Sequence, residues 1–160
     1  MLFRSTGTPT ARNWKQAELT SSLENATSMT QWPDNHIAVA ADGVIWLVPL
    51  QTPAAPTPKP LTISGLTSGD SLGPVLHLAW SGSHLWISDT DHHRVLVVDA
   101  SGRMLAEFGQ NNHAGDGLEQ LNTPTVLAAQ GTRAAVYDTG NQRIVRVQFQ
   151  TPGNTASRQP

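Results

Sequence analysis

Residues 82–95 of this chain read Gly-Ser-His-Leu-Trp-Ile-Ser-Asp-Thr-Asp-His-His-Arg-Val, and residues 131–144 read Gly-Thr-Arg-Ala-Ala-Val-Tyr-Asp-Thr-Gly-Asn-Gln-Arg-Ile. The two stretches align without a gap at an offset of 49 positions, which pairs Asp89 with Asp138. A fixed offset between similar segments is the sequence signature of a repeat architecture, in which each copy forms one structural unit. The chain is therefore predicted to be a repeat protein.

The repeated motif predicts a hairpin in each copy. A strand ends at Asp89, four residues turn the chain, and the next strand begins at Arg94; Asp138 and Arg143 occupy the same places in the second copy. In such a hairpin the carboxylate can accept backbone N–H bonds while it faces the guanidinium, and this charge-assisted pair holds the turn. Because the pair occurs twice and a catalytic residue is needed once, we interpret Asp89, Arg94, Asp138 and Arg143 as structural residues of the repeat.

Short apolar runs recur along the chain from residue 37 onward. Each is rich in Val, Ile, Leu or aromatic residues and is bounded by Gly, Pro, Asp or Ser, which is the pattern of strands joined by tight turns. The fold class is therefore predicted to be all-β. The predicted strands cover residues 37–41, 44–48, 61–63, 75–80, 85–88, 95–98, 104–108, 126–129, 134–137 and 144–149.

A third, partial copy extends the repeat. Residues 42–47 read Asp-Gly-Val-Ile-Trp-Leu and place Trp46 40 positions before Trp86, so both tryptophans are expected at equivalent strand positions, packed between units. Repeats of about 40 to 50 residues built from short strands are typical of β-propeller blades. Propellers use at least about four blades, and this chain supplies about three. We therefore predict an incomplete β-propeller of antiparallel blades.

The chain divides into three predicted parts. The N-terminal part is rich in Ser and Thr and is expected to be irregular, with a short helix beginning at Asn13 as the alternative. The proline-rich stretch 49–60 is excluded as a central strand, because proline lacks the N–H that a ladder requires. The predicted ranges are 1–32 for the irregular segment, 33–149 for the blades (33–66 degenerate, 73–109 and 122–149 clear) and 150–160 for a disordered tail.

Both motifs resemble the NHL repeat. Its hallmark runs Asp-Thr-x-Asn/His-x-Arg-Val/Ile, and the chain has Asp-Thr-Asp-His-His-Arg-Val at 89–95 and Asp-Thr-Gly-Asn-Gln-Arg-Ile at 138–144. Residues 102–109 and 115–124 are similar to the blade tail and the interblade linker of the same repeat. The resemblance is strongest over residues 73–149. It implies antiparallel propeller blades of the NHL type.

Composition excludes several classes of protein. The 160 residues carry a formal net charge of −2 at pH 7, so the chain lacks the basic surface of a nucleic-acid binder. It contains no cysteine, which excludes disulfides, cysteine zinc ligands and thiol catalysis. No apolar run reaches the roughly 18 residues of a membrane helix, and no signal-peptide pattern is visible. Neither a nucleic-acid nor a membrane partner is predicted, and the compartment stays open.

No catalytic constellation is visible in the sequence. The six histidines show no regular ligand spacing, so neither a metal nor a cofactor is predicted. The turn residues His92, His93, Asn141 and Gln142 are the candidates for an exposed interaction loop, because loops on a rigid frame commonly carry function.

The favoured function is a non-catalytic NHL-repeat β-propeller module that mediates protein–protein interaction, as a fragment of a larger propeller protein. Its partner is expected to be another protein or a second copy bound through open blade edges. The alternative is an enzyme, part of a six-bladed propeller with metal-dependent lyase or lactonase-like activity, which a metal on the channel axis would reveal. RNA binding, known for some NHL domains, is the third alternative, and the net charge argues against it.

Overall fold

The computed structural model of the protein describes residues 23–50 and 57–150. They form an all-β fold, which confirms the predicted fold class. No helix within these ranges is long and apolar enough to cross a membrane. The strands are β1 (Ala26–Trp32), β2 (His36–Ala41), β3 (Val44–Pro49), β4 (Lys59–Pro60), β5 (Leu76–Ser81), β6 (His84–Asp89), β7 (Arg94–Asp99), β8 (Met104–Gly109), β9 (Pro124–Gln130), β10 (Arg133–Asp138) and β11 (Arg143–Gln148).

The strands are arranged in three antiparallel sheets. Sheet one has the order β1-β2-β3-β4, sheet two the order β5-β6-β7-β8 and sheet three the order β9-β10-β11. Each strand therefore pairs with the strand that precedes or follows it, because antiparallel neighbours can be joined by short turns. The 49-residue repeat corresponds to sheets two and three, with four strands and three strands respectively.

Sheet two lies between the other two sheets and buries both of its faces. On β7, Leu96 and Val98 pack into a core shared with sheet one, whereas Val95 and Val97 pack into a second core shared with sheet three. All four side chains are at most 3% exposed. A strand covered on both faces needs apolar residues at every position, which explains the uninterrupted Val-Leu-Val-Val run.

Hydroxyl side chains on the first strands of sheets one and two bond to the sheet that follows. Between β1 and β5, the hydroxyl of Thr30 accepts a hydrogen bond from the amide of Trp80 at 3.0 Å. Between sheets two and three, the hydroxyl of Ser81 accepts a bond from the amide of Gly131 at 2.7 Å. These bonds satisfy backbone groups where two sheets meet, a place where no strand ladder joins them.

The predicted irregular segment 1–32 requires a correction at its end. Residues 26–32 form β1, which pairs along its length with β2 from Ala26–Ala41 to Trp32–His36. Sequence pattern missed this strand because its side chains, Ala-Thr-Ser-Met-Thr-Gln-Trp, are mostly polar and half-exposed, and an edge strand needs no continuous apolar run. The helix predicted at Asn13 and the tail 151–160 lie outside the described residues.

The partial copy at 42–47 aligns differently from the prediction. Trp86 lies on β6, the second strand of sheet two, whereas Trp46 lies on β3, the third strand of sheet one. The predicted equivalence of the two tryptophans is therefore wrong. The cause is the length of the hairpins: two residues, Asp42 and Gly43, join β2 to β3, whereas four residues join β6 to β7. The true counterpart of β6 is β2.

The proline-rich stretch 49–60 contributes the last residue of β3, Pro49, and a two-residue edge strand to the described structure. Its last two residues form β4, which pairs with β3 at the edge of sheet one. Proline is tolerated there because one side of an edge strand needs no ladder donors. Residues 51–56 lie outside the described ranges. The strand predicted at 61–63 is wrong: the amide of Leu61 still donates to the carbonyl of Ile45 on β3, but residues 61–63 form no strand.

Candidate functional site

The Asp–Arg pair of sheet two forms a closed hydrogen-bonded network at the β6–β7 hairpin. Oδ1 of Asp89 accepts a bond from the amide of Gly73 at 3.1 Å, and Oδ2 accepts a bond from Nε of Arg94 at 3.0 Å. Nη2 of Arg94 donates to the carbonyl of Ser71 at 2.9 Å. Asp89 and Arg94 have no exposed surface. The network therefore fastens the segment before β5 to the hairpin.

The same three hydrogen bonds recur in sheet three. Oδ1 of Asp138 accepts a bond from the amide of Asn122 at 2.6 Å, and Oδ2 accepts a bond from Nε of Arg143 at 2.8 Å. Nη2 of Arg143 donates to the carbonyl of Gln120 at 2.8 Å. Each partner lies 49 positions after its counterpart in sheet two. The structure thus brings together both pairs that the sequence singled out.

Arg94 is also held by a second carboxylate that the sequence analysis missed. Its Nη1 and Nη2 donate to the two oxygens of Asp70 at 2.6 Å and 3.0 Å, which is a bidentate pair. A signal was present, because the 49-residue offset leads from Asp70 to another acidic residue, Glu119. In sheet three, however, Glu119 is exposed, and Arg143 donates instead to the carbonyl of Asp116.

Electrostatics differ between the two copies. The hydrogen bonds from Arg94 lower the pKa of Asp70 below its ordinary value, although partial burial opposes this. Burial by itself would lower the pKa of Arg94, but its bonds to Asp70 and Asp89 outweigh burial, and the pKa is raised. The side chain of Arg143 is 34% exposed, against 1% for Arg94. The pair in sheet two is therefore the more strongly desolvated.

Two of the candidate loop residues serve the network itself. Nδ1 of His92 lies 3.0 Å from Oδ2 of Asp89, and Nδ2 of Asn141 donates to Oδ2 of Asp138 at 2.7 Å. The two side chains are counterparts at the 49-residue offset, and both complete the shell of the buried carboxylate. The side chain at the Asn/His position of the repeat motif therefore places a nitrogen within hydrogen-bond distance of the aspartate carboxylate.

The other two candidate loop residues differ in exposure. Nδ1 of His93 accepts a bond from the amide of Thr123 at 3.0 Å and so links sheet two to sheet three. Gln142 is exposed and has a φ of 52°, in the left-handed region. Of the four candidates, only Gln142 presents an exposed side chain.

The geometry of the network limits its chemistry. Both oxygens of Asp89 are occupied by protein donors, and the carboxylate has no exposed surface through which a substrate could reach it. Within residues 23–50 and 57–150, no group of three or more His, Asp or Glu side chains is placed to hold a metal ion. What the network can do is fix the position of the hairpin and of the preceding segment.

A different feature of the molecule is exposed. The outer face of sheet three carries Val126, Tyr137 and Ile144, which are 64%, 43% and 71% exposed. We call these three side chains the open face. Ile144 is the counterpart of Val95, which is 1% exposed in the core between sheets two and three. The face that receives a neighbouring sheet in sheet two is thus uncovered in sheet three.

Two comparisons with known proteins bear on the family of this chain. No protein-family model matches this chain, and no curated protein matches it. The resemblance to the NHL repeat therefore depends on the motifs at 89–95 and 138–144.

Proposed function

We propose that this chain is an incomplete β-propeller of three NHL-type blades and that it acts as a non-catalytic module for protein–protein interaction. Two features support the architecture. The three sheets follow one another and are linked by hydrogen bonds, from Trp80 to Thr30 and from Gly131, in the turn after β9, to Ser81. The Asp–Arg network is also repeated at the same place in sheets two and three, as a scaffold feature of a repeat would be.

The open face is the observation that carries the proposed function. An exposed cluster of large apolar side chains on a folded domain usually marks an interaction surface. Val126, Tyr137 and Ile144 occupy neighbouring strands, and Tyr137 lies directly opposite Ile144 in the ladder. By contrast, Val39 and Val48 of sheet one are at most 5% exposed. The contact is therefore expected at the third blade.

Sedimentation equilibrium tests the proposed function. We expect the purified chain to associate between about 1 and 100 micromolar, the range of many protein–protein contacts. The double variant Val126→Ser/Ile144→Ser should shift the chain to a monomer, because it removes apolar area from the open face. Met29→Ser is the control, since Met29 is 66% exposed on β1, away from that face. A wild-type chain that stays monomeric throughout would overturn the proposal.

A further inference from the structure

The outer edge of sheet three is open in the described structure. In sheet one the third strand pairs with β4, and in sheet two the third strand pairs with the six-residue strand β8. The third strand of sheet three, β11, pairs with β10 and has no fourth strand beside it within residues 23–50 and 57–150. In the described part of the chain, a fourth strand thus occupies this position in sheets one and two and is absent from sheet three.

The backbone of β11 fixes which groups face the open edge. The amide of Phe149 donates to the carbonyl of Thr132, on the β10 side. Because alternate residues of an antiparallel strand direct their N–H and C=O groups to opposite sides, Ile144, Arg146 and Gln148 direct theirs to the open edge. These donors and acceptors are the template for an added strand.

A cavity with a mainly apolar wall, lined also by Glu107, Gln148 and Gln150, lies beside this edge. Its volume is about 250 Å³, and it is continuous with the core between sheets two and three. An added strand would direct every second side chain into this cavity, because side chains alternate between the two faces of a sheet. Its apolar wall is formed by Trp86, Val95, Val97, Ala106, Phe108 and Phe149.

The other face of the edge carries a positive charge. Arg146 is exposed on β11, and no carboxylate in the described part of the chain forms an ion pair with it. Cross-strand neighbours of opposite charge stabilise a sheet, whereas like charges destabilise it. An added strand is therefore favoured when the side chains that flank Arg146 are acidic.

We propose that the β11 edge binds an extended segment of a partner protein in which aliphatic and acidic residues alternate. The aliphatic side chains enter the cavity beside Trp86 and Phe108, and the acidic side chains flank Arg146. The sequence that follows Gln150 has two prolines and no aliphatic residue larger than alanine, so it does not have this pattern. This inference rests on the proposed function, for which it names the partner's chemistry.

Fluorescence anisotropy with a labelled eight-residue peptide of alternating valine and glutamate tests the inference. We expect a dissociation constant in about the 10 to 500 micromolar range, typical of weak strand addition. Replacing every glutamate by lysine should abolish binding. Arg146→Glu should weaken binding about tenfold at low salt. Arg133→Glu makes the same change of charge one strand away, on β10, and should weaken binding less than about threefold.

A second variant tests the cavity independently of charge. Ala106→Phe fills the space that the aliphatic side chains would enter, and we expect it to weaken binding about tenfold or more. Its thermal unfolding is measured alongside, and Ala106→Ser is the control that leaves the cavity open. Equal losses for Arg133→Glu and Arg146→Glu, equal binding of the lysine peptide, or no binding of the glutamate peptide would overturn the inference. If the peptide results overturn this inference but the chain self-associates through the open face, the proposed function stands and only the inference fails.

Discussion

Asp89 has no exposed surface and is surrounded by three groups, the amide of Gly73, the guanidinium of Arg94 and the ring of His92. A buried carboxylate is costly unless it is paired and hydrogen-bonded, and here every one of its contacts is supplied by the protein. The same requirement explains why the motif specifies Arg five residues after Asp. The Asp89–Arg94 pair is therefore stable only when the hairpin is folded and brings these groups together.

Removing the charge of each aspartate should have unequal effects on stability. Asp89→Asn should lower the free energy of unfolding by about 3 kcal/mol. The substitution removes the negative charge that faces the guanidinium of Arg94, and Arg94 stays buried. Asp138→Asn should cost about 1 to 2 kcal/mol, since the 34% exposure of Arg143 lets water compensate. Urea unfolding of both variants measures the difference. Equal losses, or none, would contradict a scaffold role that depends on burial.

Stability should also depend on the protonation of His77. Burial lowers the pKa of His77 below its ordinary value of 6.5, so the folded protein holds this ring neutral. The unfolded chain therefore takes up the proton first, so stability should be full above pH 6.5 and fall as the pH decreases below it. Thermal unfolding against pH tests this. His77→Gln should flatten the curve in this window, and parallel curves for both proteins would refute the prediction.

At the scale of elements, hairpin length separates sheet one from the other two sheets. Asp42 and Gly43 both have positive φ, 50° and 75°, which is the geometry of a two-residue type I′ turn. This turn is shorter than the four-residue loop that joins the corresponding strands of sheets two and three. The residues that flank it, Ala41 and Val44, stand where those sheets have Asp and Arg. Sheet one therefore lacks the network because its hairpin is shorter.

Two glycines with positive φ, one in the β7–β8 turn and one in the β9–β10 turn, provide a matched pair of substitutions. Gly102 has a φ of 82°, and a Cβ added there would collide with the carbonyl of Thr62. Gly131 has a φ of 59°, but a Cβ added there would meet nothing within 4 Å. Gly102→Ala should therefore destabilise by more than about 2 kcal/mol through steric overlap. Gly131→Ala should cost about 1 kcal/mol from backbone strain alone.

Chemical denaturation of the two glycine variants gives both values directly. The same loss for both would mean that the contact between the β7–β8 turn and the segment after β4 is not rigid. A larger loss for Gly131→Ala would contradict the geometry of both turns.

At the scale of the whole molecule, sheet two holds the three sheets together. Trp86 links it to sheet three in two ways: its indole N–H donates to the carbonyl of Gly131 at 3.2 Å, and its ring lies 5.5 Å from that of Phe149, edge to face. Trp32 and Trp80 pack 4.8 Å apart where sheet one meets sheet two. Aromatic contacts at each junction therefore join sheets that share no ladder.

Trp86→Ala should uncouple sheet three from the rest of the molecule. We expect a loss of about 3 to 5 kcal/mol, as for other large side chains removed from a core. Hydrogen exchange should accelerate on β9 to β11 before it does on β5. Trp46→Ala is the control, because Trp46 is half-buried on sheet one. Uniform acceleration of exchange in all three sheets would mean that they unfold as one unit, contrary to this prediction.

The sequence by itself determined the features that depend on neighbours along the chain. Apolar runs between turn residues specified most of the strands, and the repeat specified the Asp89–Arg94 and Asp138–Arg143 contacts, because residues five apart across a hairpin are brought together by the turn. The strand at 26–32 was missed, since an edge strand of polar side chains has no distinctive periodicity.

Only the tertiary structure decided the contacts between distant segments and the exposure of each face. Asp70 reaches Arg94 from 24 positions away, and no local pattern specifies that approach. Likewise, Val95 is 1% exposed and its counterpart Ile144 is 71% exposed, although both are β-branched residues at the same place in the motif. The physical reason is that alternation places side chains on a face, whereas burial depends on whether another sheet packs against that face.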